Sequence, residues 1–334
     1  PGMGYYSGGA HKFGAAGDFV TAPEITPLFS QALAAQAVQI MALSAPQIIE
    51  VGAGSGRLAA DLLLELEQRG ALPERYAILD LSGELRERQR KTIEQRVPHL
   101  LSRVAWLDRL PAHFDGLVLA NELLDAMPVH LVVWGEEAIC ERGVASENEG
   151  FVWCDQPASG RVLERAQALT DEYSLPPGYL SEINLAATDW TASWASILGK
   201  GALLLIDYGF PQHEYYHPQR HMGTVMCHQA HRADDDPLVA VGAKDITAHV
   251  DFTGIAVAAQ NAGFELLGYT TQAWFLLNGG MAQRMEAASL PERAMAQKLL
   301  MEHEMGELFK VIGLCRGEPW PAVGFARGDR TRML

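Results

Sequence analysis

A glycine-rich turn between an apolar strand and a helix places the strongest constraint on how this chain folds. Ile48-Ile-Glu-Val51 is a short apolar run, typical of a buried parallel strand. Gly52-Ala-Gly-Ser-Gly56 follows it, and Arg57 to Arg69 has leucines at every fourth position, which predicts a helix. Glycine lets the backbone turn sharply and approach a ligand, and the helix N-terminus offers free N–H groups. The segment therefore predicts a nucleotide-binding turn.

The residues around this turn narrow the choice of ligand. Glu50 directly precedes the glycines, where its carboxylate would repel a pyrophosphate but suits the cationic methionine end of S-adenosylmethionine. The spacing G-x-G-x-G differs from the G-x-G-x-x-G of dinucleotide sites. Gly54-Ser-Gly-Arg57 lacks the Lys-Ser/Thr of a phosphate-binding loop, which excludes that class of site. Taken alone, the turn is also compatible with a purely structural connection.

An acidic residue ends the second predicted strand. Asp80 lies 24 residues after Gly56, in the run Arg75-Tyr-Ala-Ile-Leu-Asp-Leu81. Ligands of such sheets bind beyond the carboxyl ends of the strands, where an acid can accept hydrogen bonds from both ribose hydroxyls. The alternative role for Asp80 is to cap the following helix, although Ser82 could do so instead. This acid fits a methyl-donor site and a dinucleotide site equally.

Polar residues also end the fourth predicted strand, Phe114 to Glu122. Asn121 and Glu122 lie at its carboxyl end, and Asp125 follows shortly after. Glu122 and Asp125 could position a cationic or amine nucleophile and accept its proton. Asp125 could equally close the loop before Pro128, so its catalytic role and its structural role both stay open.

Composition and charge exclude several classes of protein. The apolar share of 48% is that of a folded globular chain, and the net charge of −15 argues against a nucleic acid as the main partner. No stretch has the length and apolar character of a membrane span, and no secretory leader is visible. The four cysteines lie far apart without a C-x-x-C pair, which favours reduced thiols. We therefore expect a cytoplasmic protein.

Strand and helix signals alternate through most of the chain, which predicts a parallel sheet covered by helices. Between 129 and 155, short β-type runs alternate with turn residues and predict an antiparallel insertion. A fifth strand is predicted at Gly201 to Gly209, a long polar loop at Phe210 to Asp236 and helical sequence at Ala282 to Leu308. The predicted organisation is a loop segment at 1–27 that covers the site, a Rossmann-like cofactor-binding core at 28–128, a β-rich insertion at 129–180, and the rest of the sheet with further helices at 181–334.

Two histidine patterns in the sequence favour neither a metal site nor a hydrolase. Five histidines crowd one loop without a supporting helix, cysteine ligands or carboxylates in register, so no metal site is predicted. His249-Val-Asp-Phe252 is compatible with a His–Asp dyad, but the chain has no G-x-S-x-G nucleophile turn, so a hydrolase is not favoured. The loop histidines are His213, His217, His221, His228 and His231.

Five long motifs, taken together and in order, resemble one known family. They are similar to those of the MidA family of methyltransferases, whose mitochondrial members assist assembly of respiratory complex I and methylate an arginine of one of its subunits. The resemblance extends from Gly4-Tyr-Tyr6 to Met305-Gly-Glu-Leu-Phe309, nearly the whole chain. The motifs are Gly17-Asp-Phe-Val-Thr-Ala-Pro-Glu24, Glu50-Val-Gly-Ala-Gly-Ser-Gly56, Asn121-Glu-Leu-Leu-Asp-Ala-Met-Pro-Val129, Asp207-Tyr-Gly209 and Asp245-Ile-Thr-Ala-His-Val-Asp-Phe252.

The resemblance implies an S-adenosylmethionine-dependent methyltransferase with a class I α/β fold, built on a mostly parallel seven-stranded sheet. It implies S-adenosyl-L-methionine as the cofactor, with the Gly17 to Glu24 loop folded over its pocket. A protein arginine is the implied acceptor, and its guanidinium would need carboxylates such as Glu122, Asp125, Asp18 and Glu24 to orient it. The candidate cofactor residues are Thr21, Pro23, Glu50, Gly52, Gly54, Gly56, Asp80, Asn121 and Glu122.

Two other functions stay open at this stage. Asp80 and the glycine turn also fit an NAD-dependent oxidoreductase. A non-catalytic assembly factor could retain an S-adenosylmethionine pocket, although the intact Glu50, glycines and Asp80 argue against decay of the site. The apolar run Trp274-Phe-Leu-Leu277 could serve a homodimer or a protein substrate if it were exposed, with core packing as the default expectation.

Overall fold

The computed structural model of the protein describes residues 21–148, 150–229 and 232–334. Their strands form one large sheet and two small ones. In chain order the strands are β1 (Gln47–Val51), β2 (Arg75–Leu79), β3 (Val104–Leu107), β4 (Phe114–Asn121), β5 (His130–Trp134), β6 (Ile139–Glu147), β7 (Gly150–Pro157), β8 (Tyr179–Ile183), β9 (Leu198–Phe210), β10 (Met226–Gln229), β11 (Arg232–Asp234), β12 (Asp245–Thr247), β13 (Val250–Asp251), β14 (Glu265–Thr271) and β15 (Phe309–Arg316).

Helices alternate with the strands of the large sheet, as the sequence pattern predicts. Short 3-10 and π turns complete several of the connections. In chain order the α-helices are α1 (Ala22–Ile25), α2 (Leu28–Leu43), α3 (Arg57–Gln68), α4 (Gly83–Arg96), α5 (Gly160–Tyr173), α6 (Leu185–Ser193), α7 (Gln212–Tyr215), α8 (Phe252–Asn261), α9 (Gln272–Asn278), α10 (Met281–Ala287) and α11 (Leu290–Leu300).

The large sheet has the strand order β14–β15–β9–β4–β1–β2–β3. The five strands from β9 to β3 are parallel, whereas β15 is antiparallel to both of its neighbours. The two-residue strand β13 pairs with the carboxyl end of β9. The predicted mostly parallel seven-stranded sheet is therefore confirmed, and the carboxyl ends of β1, β2, β4 and β9 meet at one edge.

Two hydrophobic layers hold this sheet between helices. On one face, side chains such as Ile48 pack against α2, α3 and α9. On the other face, neighbouring side chains such as Ile49 pack against α6 and α8. Successive strand residues point to opposite faces, so a strand covered on both sides must be apolar throughout. This explains why β1, β4 and β9 are continuous apolar runs in the sequence.

The inserted sheet is antiparallel and has the order β7–β6–β5–β8. One of its faces packs on α5, where Val132 and Trp134 contact the apolar side of the helix. The indole N–H of Trp134 donates a hydrogen bond of 2.7 Å to the hydroxyl of Thr170 in α5. The strands β5 to β7 match the predicted antiparallel runs, whereas α5 was not predicted.

The prediction of a long polar loop at Phe210 to Asp236 is wrong. This segment contains α7 and the strands β10 and β11, which form a small antiparallel sheet with β12. Tyr215 and Tyr216 are buried against the α5 layer, and Cys227 is buried within β10. The polar composition concealed these elements because β10 and β11 are short and β10 pairs with residues about twenty positions further along the chain.

The helical sequence predicted at Ala282 to Leu308 is wrong in its bounds. Helix formation already begins at Gln272, in α9. The chain leaves the helix again before α11, where Ser289 and Glu292 form a capping box that starts a new helix. A single helical run was predicted because this polar Ser was not recognised as a helix start.

Apolar residues of the α9 helix divide between core and surface. Phe275 and Leu276 are buried, which confirms core packing for that half of the run. Trp274 and Leu277 remain 39% and 37% exposed. Within the described ranges, no helix combines the length and the apolar character that crossing a membrane requires.

Candidate functional site

A cavity of about 1310 Å³ lies at the sheet edge where β1, β2 and β4 end. It is larger than the roughly 300–1,000 Å³ of an ordinary small-ligand pocket, so it can hold a cofactor and an acceptor side by side. Gly56 does not line it, and Asp18 lies outside the described residues. The predicted site residues that line the cavity are Thr21, Pro23, Glu24, Glu50, Gly52, Gly54, Asp80, Asn121, Glu122 and Asp125.

The glycine turn needs its glycines for two separate reasons. Gly52, Gly54 and Gly56 have φ angles of 72°, 51° and 82°, in the left-handed region that favours glycine. A Cβ added to Gly56 would lie 2.9 Å from the Cα of Gln89 in α4. Gly56 therefore serves the close packing of the turn against α4, whereas Gly52 and Gly54 face the cavity.

The Glu50 carboxyl group is buried at the carboxyl end of β1. The hydroxyl of Tyr76 donates a hydrogen bond of 2.6 Å to its Oε2. Burial raises the pKa of Glu50 to about 7, against the lowering effect of this hydrogen bond. A cationic group bound in the cavity would favour the ionised form, so Glu50 is suited to the amino end of a ligand.

Asp80 is held in place from two sides. Its Oδ2 accepts a hydrogen bond of 2.8 Å from Nε2 of Gln89, and its Oδ1 accepts one of 2.9 Å from the backbone N–H of Ser82. The Ser82 hydroxyl itself caps α4 by accepting from the N–H of Leu85. Burial raises the pKa of Asp80. Since Ser82 caps the helix, Asp80 is left to face the cavity.

Gln89 is a buried residue behind the cavity lining that positions the site, and the sequence did not reveal it. Besides its bond to Asp80, its amide nitrogen donates a hydrogen bond of 3.2 Å to the carbonyl oxygen of Gly54. Its Oε1 accepts a hydrogen bond from the indole N–H of Trp106. It thus ties the carboxylate after β2 to the glycine turn after β1. In the sequence it is one polar residue in a strongly charged helix, and only the tertiary contact distinguishes it from its neighbours.

Glu122 adopts a left-handed backbone conformation, with φ at 52°. Such a conformation is uncommon for a residue with a side chain and is found where surrounding contacts enforce it, often at functional sites. The Glu122 carboxylate accepts hydrogen bonds from the N–H of Ala22 at 3.4 Å and from Nδ2 of Asn121 at 3.1 Å. Burial, and then the neighbouring Asp125, raise the pKa of Glu122 to about 8.

Asp207, at the end of β9, holds the turn that carries Glu122. Its Oδ2 accepts the backbone N–H groups of Leu123, Leu124 and Asp125 at 3.1, 2.8 and 3.3 Å. Its Oδ1 accepts the N–H of its neighbour Tyr208 at 2.9 Å. The sequence motif contained Asp207 without a role for it. Its position near the end of the fifth predicted strand was the available signal, because that strand ends at the same sheet edge.

Asp125 lies beside Glu122, and we call these two residues the acceptor floor. The hydroxyl of Tyr208 donates a hydrogen bond of 2.7 Å to Oδ2 of Asp125, while Oδ1 is buried without a hydrogen-bond partner among the described residues. Burial raises the pKa of Asp125 to about 6. Neither carboxylate of the acceptor floor forms an ion pair with a described basic side chain.

His249 also lines the cavity, a place that the sequence did not predict for it. Its ring meets the ring of Tyr208 edge-on, with centroids 5.2 Å apart. Burial lowers the pKa of His249 to about 4, so the imidazole is neutral near pH 7. Among the loop histidines, His228 lines the cavity as well. In the described part of the chain, no three His, Cys, Asp or Glu side chains are grouped so that they could hold a metal.

The segment before α2 contacts both the glycine turn and the acceptor floor. Thr21, Pro23 and Glu24 all contribute to its lining. The hydroxyl of Ser55, in the glycine turn, donates to the carboxylate of Glu24, while the N–H of Ala22 donates to Glu122. This segment therefore bridges the glycine turn and the acceptor floor.

Comparison with known proteins places the chain among methyltransferases. A model of the family of S-adenosyl-L-methionine-dependent methyltransferases matches residues 32–270, well over half of the chain. The chain belongs to this family. This chain is 29% identical to the mouse mitochondrial protein arginine methyltransferase NDUFAF7, and the alignment covers 91% of this chain and 74% of the mouse protein. It is 28% identical to the Drosophila melanogaster homologue of that protein, and the alignment covers 98% of this chain and 82% of the homologue.

Two solved structures from Burkholderia thailandensis are similar over the whole chain. One, bound to S-adenosyl-homocysteine, has a TM-score of 0.94 and 47% identity and covers 100% of this chain and 89% of that one. The other, a native structure, has a TM-score of 0.92 and 48% identity, with 100% and 88% covered. The predicted MidA-type family, the class I methyltransferase fold and S-adenosyl-L-methionine as cofactor are confirmed. The NAD-dependent alternative is not favoured by any of these similarities.

Proposed function

We propose that this methyltransferase transfers the methyl group to an arginine side chain of a protein. The observation that carries the proposal is the acceptor floor, where the carboxyl group of the buried Asp125 lies close to that of the partly buried Glu122. Holding two neighbouring carboxyl groups largely away from water without a paired cation is unfavourable, and their pKa values are raised as a consequence. A cationic acceptor would relieve this cost. The curated relatives named above are themselves protein arginine methyltransferases.

A guanidinium group suits this floor better than an ammonium group. It is planar, always charged and presents five N–H donors, so it can contact two carboxylates at once. Oδ1 of Asp125 and the second carboxylate oxygen of Glu122 are the acceptors left for it, since the described hydrogen bonds use Oδ2 and Oε1. Asp18, which the sequence also suggested for this task, stays a prediction.

The cofactor side of the cavity, which we define as Glu50, the glycine turn and Asp80, fits S-adenosyl-L-methionine. When bound, this molecule supplies a methyl group activated by its sulfonium. We assign Glu50 to its amino group and Asp80 to its ribose hydroxyls, while Gly52 and Gly54 let the backbone approach it. Thr21 and Pro23 would cover it, and Asn121 would lie between the cofactor and the acceptor floor.

The acceptor floor would then perform the proton chemistry. The acceptor nitrogen forms its bond to the methyl carbon, the carbon–sulfur bond breaks with its electron pair left on sulfur, and the nitrogen loses a proton. Glu122 is suited to accept that proton because burial raises its pKa to about 8. Asp125, held by Tyr208, would keep the guanidinium plane aligned.

The test replaces each carboxylate by its amide. With tritiated S-adenosyl-L-methionine and a peptide containing one arginine, Glu122→Gln and Asp125→Asn should each lower kcat/KM by about 100-fold or more. The matched control is Asp235→Asn, which removes an exposed carboxylate that also lines the cavity. Full activity of both amide variants, or label found after hydrolysis only on residues other than arginine, would overturn the proposal.

A separate titration tests the non-catalytic alternative. Calorimetry should detect S-adenosylhomocysteine binding and no NADH binding by the purified chain. Methyl incorporation into extract proteins, absent with a Gly54→Val variant, would then separate an enzyme from a binding protein that retains its pocket. Tight product binding without any incorporation would favour the assembly-factor function instead.

We also propose a cytoplasmic location and retain the homodimer as a prediction. The four cysteines are all free thiols, as suits a reducing compartment. The named relatives are mitochondrial proteins, so fluorescence microscopy of the tagged chain in its own cell is the direct measurement. Sedimentation equilibrium of the purified protein gives the oligomeric state.

A further inference from the structure

The free face of the inserted sheet lines the cavity. Its opposite face packs on α5. Side chains that share a face of an antiparallel sheet lie across from one another in the register, and here Leu131 pairs with Arg142 on one side and Glu182 on the other. We call the cavity-lining part of this face the acceptor wall. It consists of Leu131, Arg142, Trp153, Leu180 and Glu182.

The same face continues beyond the cavity along the β6–β7 hairpin. Val144 lies opposite Trp153 in the register, and Phe151 lies two residues from Trp153 on β7. These three side chains, which we call the hairpin strip, are 53%, 39% and 49% exposed in the order Val144, Trp153, Phe151. Trp153 belongs to both the acceptor wall and the strip. The strip therefore leads directly into the cavity, and a contiguous apolar surface of this kind marks a binding site.

The hairpin also offers an open strand edge. β7 pairs only with β6 in the sheet of the described residues, so the outer N–H and C=O groups of its eight residues have no strand beside them. Natural edge strands are usually protected by lysine, proline or a bulge. The stretch Gly150–Cys154 has none of these, and its register with β6 is regular. An unprotected edge next to a cavity favours the addition of a strand from a partner.

The charge around this edge selects the partner. Residues 135–157 contain six acidic residues and one basic residue, Arg142. That arginine is already paired with Asp155 through two hydrogen bonds of 2.8 Å. The remaining negative charge attracts a basic partner and repels an acidic one. A second copy of this chain, with a net charge of −15, is disfavoured at this edge by the same argument.

Flexible apolar side chains adjoin the acceptor wall beside β8, where Met222 forms a bridge with Leu180. Met222 and Met226 line the cavity and are 70% and 37% exposed. Methionine adapts to irregular partners and is common at surfaces that bind varied protein segments. The inserted sheet thus has an open strand edge at β7 and adaptable methionine side chains beside β8, at its other end.

We propose that the β7 edge and the hairpin strip dock an extended, basic segment of the protein that carries the acceptor arginine. The segment adds to the sheet as a strand beside β7, its apolar side chains cover Val144 and Phe151, and its arginine reaches past Trp153 to the acceptor floor. This inference rests on the proposed function. It adds the substrate class, an extended basic segment, and the surface that recognises it.

The binding test uses a fluorescein-labelled eleven-residue peptide in which lysine and valine alternate around one central arginine. Fluorescence anisotropy with saturating S-adenosylhomocysteine should show at least about tenfold weaker binding to a Val144→Ser/Phe151→Ser variant than to the wild type. The control variant, Val257→Ser/Leu290→Ser, removes two side chains of comparable exposure elsewhere, at 48% and 79%, and should bind normally. Equal affinity of the hairpin variant and the wild type would overturn the proposal.

A second peptide tests strand addition itself. N-methylation of every other residue removes the backbone donors of one edge, so one of the two methylated registers should bind about tenfold more weakly while the other is unaffected. Equal binding of both would contradict pairing with β7. A hairpin variant that dissociates a dimer without changing peptide affinity would assign the surface to a second copy and overturn the proposal as well.

Kinetics separates this inference from the proposed function. Val144 and Phe151 do not line the cavity, so the hairpin variant should keep kcat/KM within twofold for the small acceptor N-acetyl-arginine amide. Its KM for the peptide should rise about tenfold or more. If the wild type methylates neither acceptor, the arginine proposal fails, and the anisotropy measurement still decides whether the hairpin docks a basic segment.

Discussion

The cofactor side and the acceptor wall line different parts of one cavity and are built in different ways. On the cofactor side, each buried polar side chain has a fixed partner, such as Tyr76 for Glu50 and Gln89 for Asp80. The acceptor wall continues into exposed apolar side chains and adjoins two exposed methionines beside β8. One part is rigid before any ligand arrives, whereas the other can adapt.

This difference corresponds to the two ligands of the proposed function. A small molecule of constant shape is bound best by a preorganised site on the ends of buried strands. A protein segment varies in sequence and conformation, so an open strand edge and flexible side chains are more useful to it. Substitutions on the cofactor side should therefore affect stability or cofactor binding, while those around the acceptor wall should affect the acceptor alone.

The largest expected effect follows from Asp207→Asn. The amide would place an N–H donor against backbone N–H groups, either those of the turn after β4 or that of Tyr208. We expect the free energy of unfolding to fall by about 2–4 kcal/mol, as for other buried groups that lose their partner. Urea unfolding measures it. Asp115→Asn is the control, since Asp115 accepts the N–H of Lys200 in an exposed position. A fully stable Asp207→Asn protein would contradict the anchoring role.

The pH dependence of arginine methylation should report on the acceptor floor. A cationic acceptor binds the ionised form of Glu122, and burial raises the pKa of this residue to about 8. Below that pH the carboxyl group is mostly protonated, so kcat/KM should rise about tenfold from pH 6 to 7 and about fivefold from pH 7 to 8, and should level off above about pH 9. Glu122→Gln should flatten this rise. A wild-type profile that is flat between pH 6 and 8 would remove Glu122 from acceptor binding.

Much of the cofactor side could be predicted from the sequence, because its elements are continuous motifs. The glycine turn, Asp80 and Asn121 each follow an apolar strand directly, and parallel strands end at the same edge. The sheet order then brings these strand ends together. The end of a buried strand is recognisable from the local sequence, without knowledge of distant contacts. The strands of the core were correctly predicted for the same reason.

The rest could not be predicted, because it depends on pairing between distant segments. β5 pairs with β8 across about fifty residues, and the small sheet of β10 to β12 is hidden in a polar segment. Gln89 and Asp207 gain their roles from tertiary hydrogen bonds that leave no periodic signal. The residues of the acceptor wall are likewise brought together only by the register of the inserted sheet.

A moderate effect is expected from Gly56→Ala. The added Cβ would lie 2.9 Å from the Cα of Gln89, so α4 must shift, and Gln89 with it, although Gln89 holds Asp80. We expect the Kd for S-adenosylhomocysteine to rise about tenfold, which corresponds to roughly 1.4 kcal/mol. Gly70→Ala is the control, because Gly70 has a φ of 63° but no neighbour near its Cβ position. It carries the same backbone strain and should bind normally. Equal affinities of the two variants would contradict a packing role for Gly56.

The smallest effect is expected from His249→Gln, which tests whether carboxylates alone set the charge of the acceptor floor. Burial lowers the pKa of His249 to about 4, so its ring is neutral from pH 6 to 9 and adds no charge there. The position of the kcat/KM rise should therefore move by less than about 0.3 pH unit, within the scatter of such measurements. A larger displacement would mean that His249 shares the proton with Glu122. The acceptor floor would then be preorganised by a titrating pair, as the cofactor side is by its hydrogen bonds. Only the acceptor wall and the hairpin strip would still differ from the cofactor side in being adaptable.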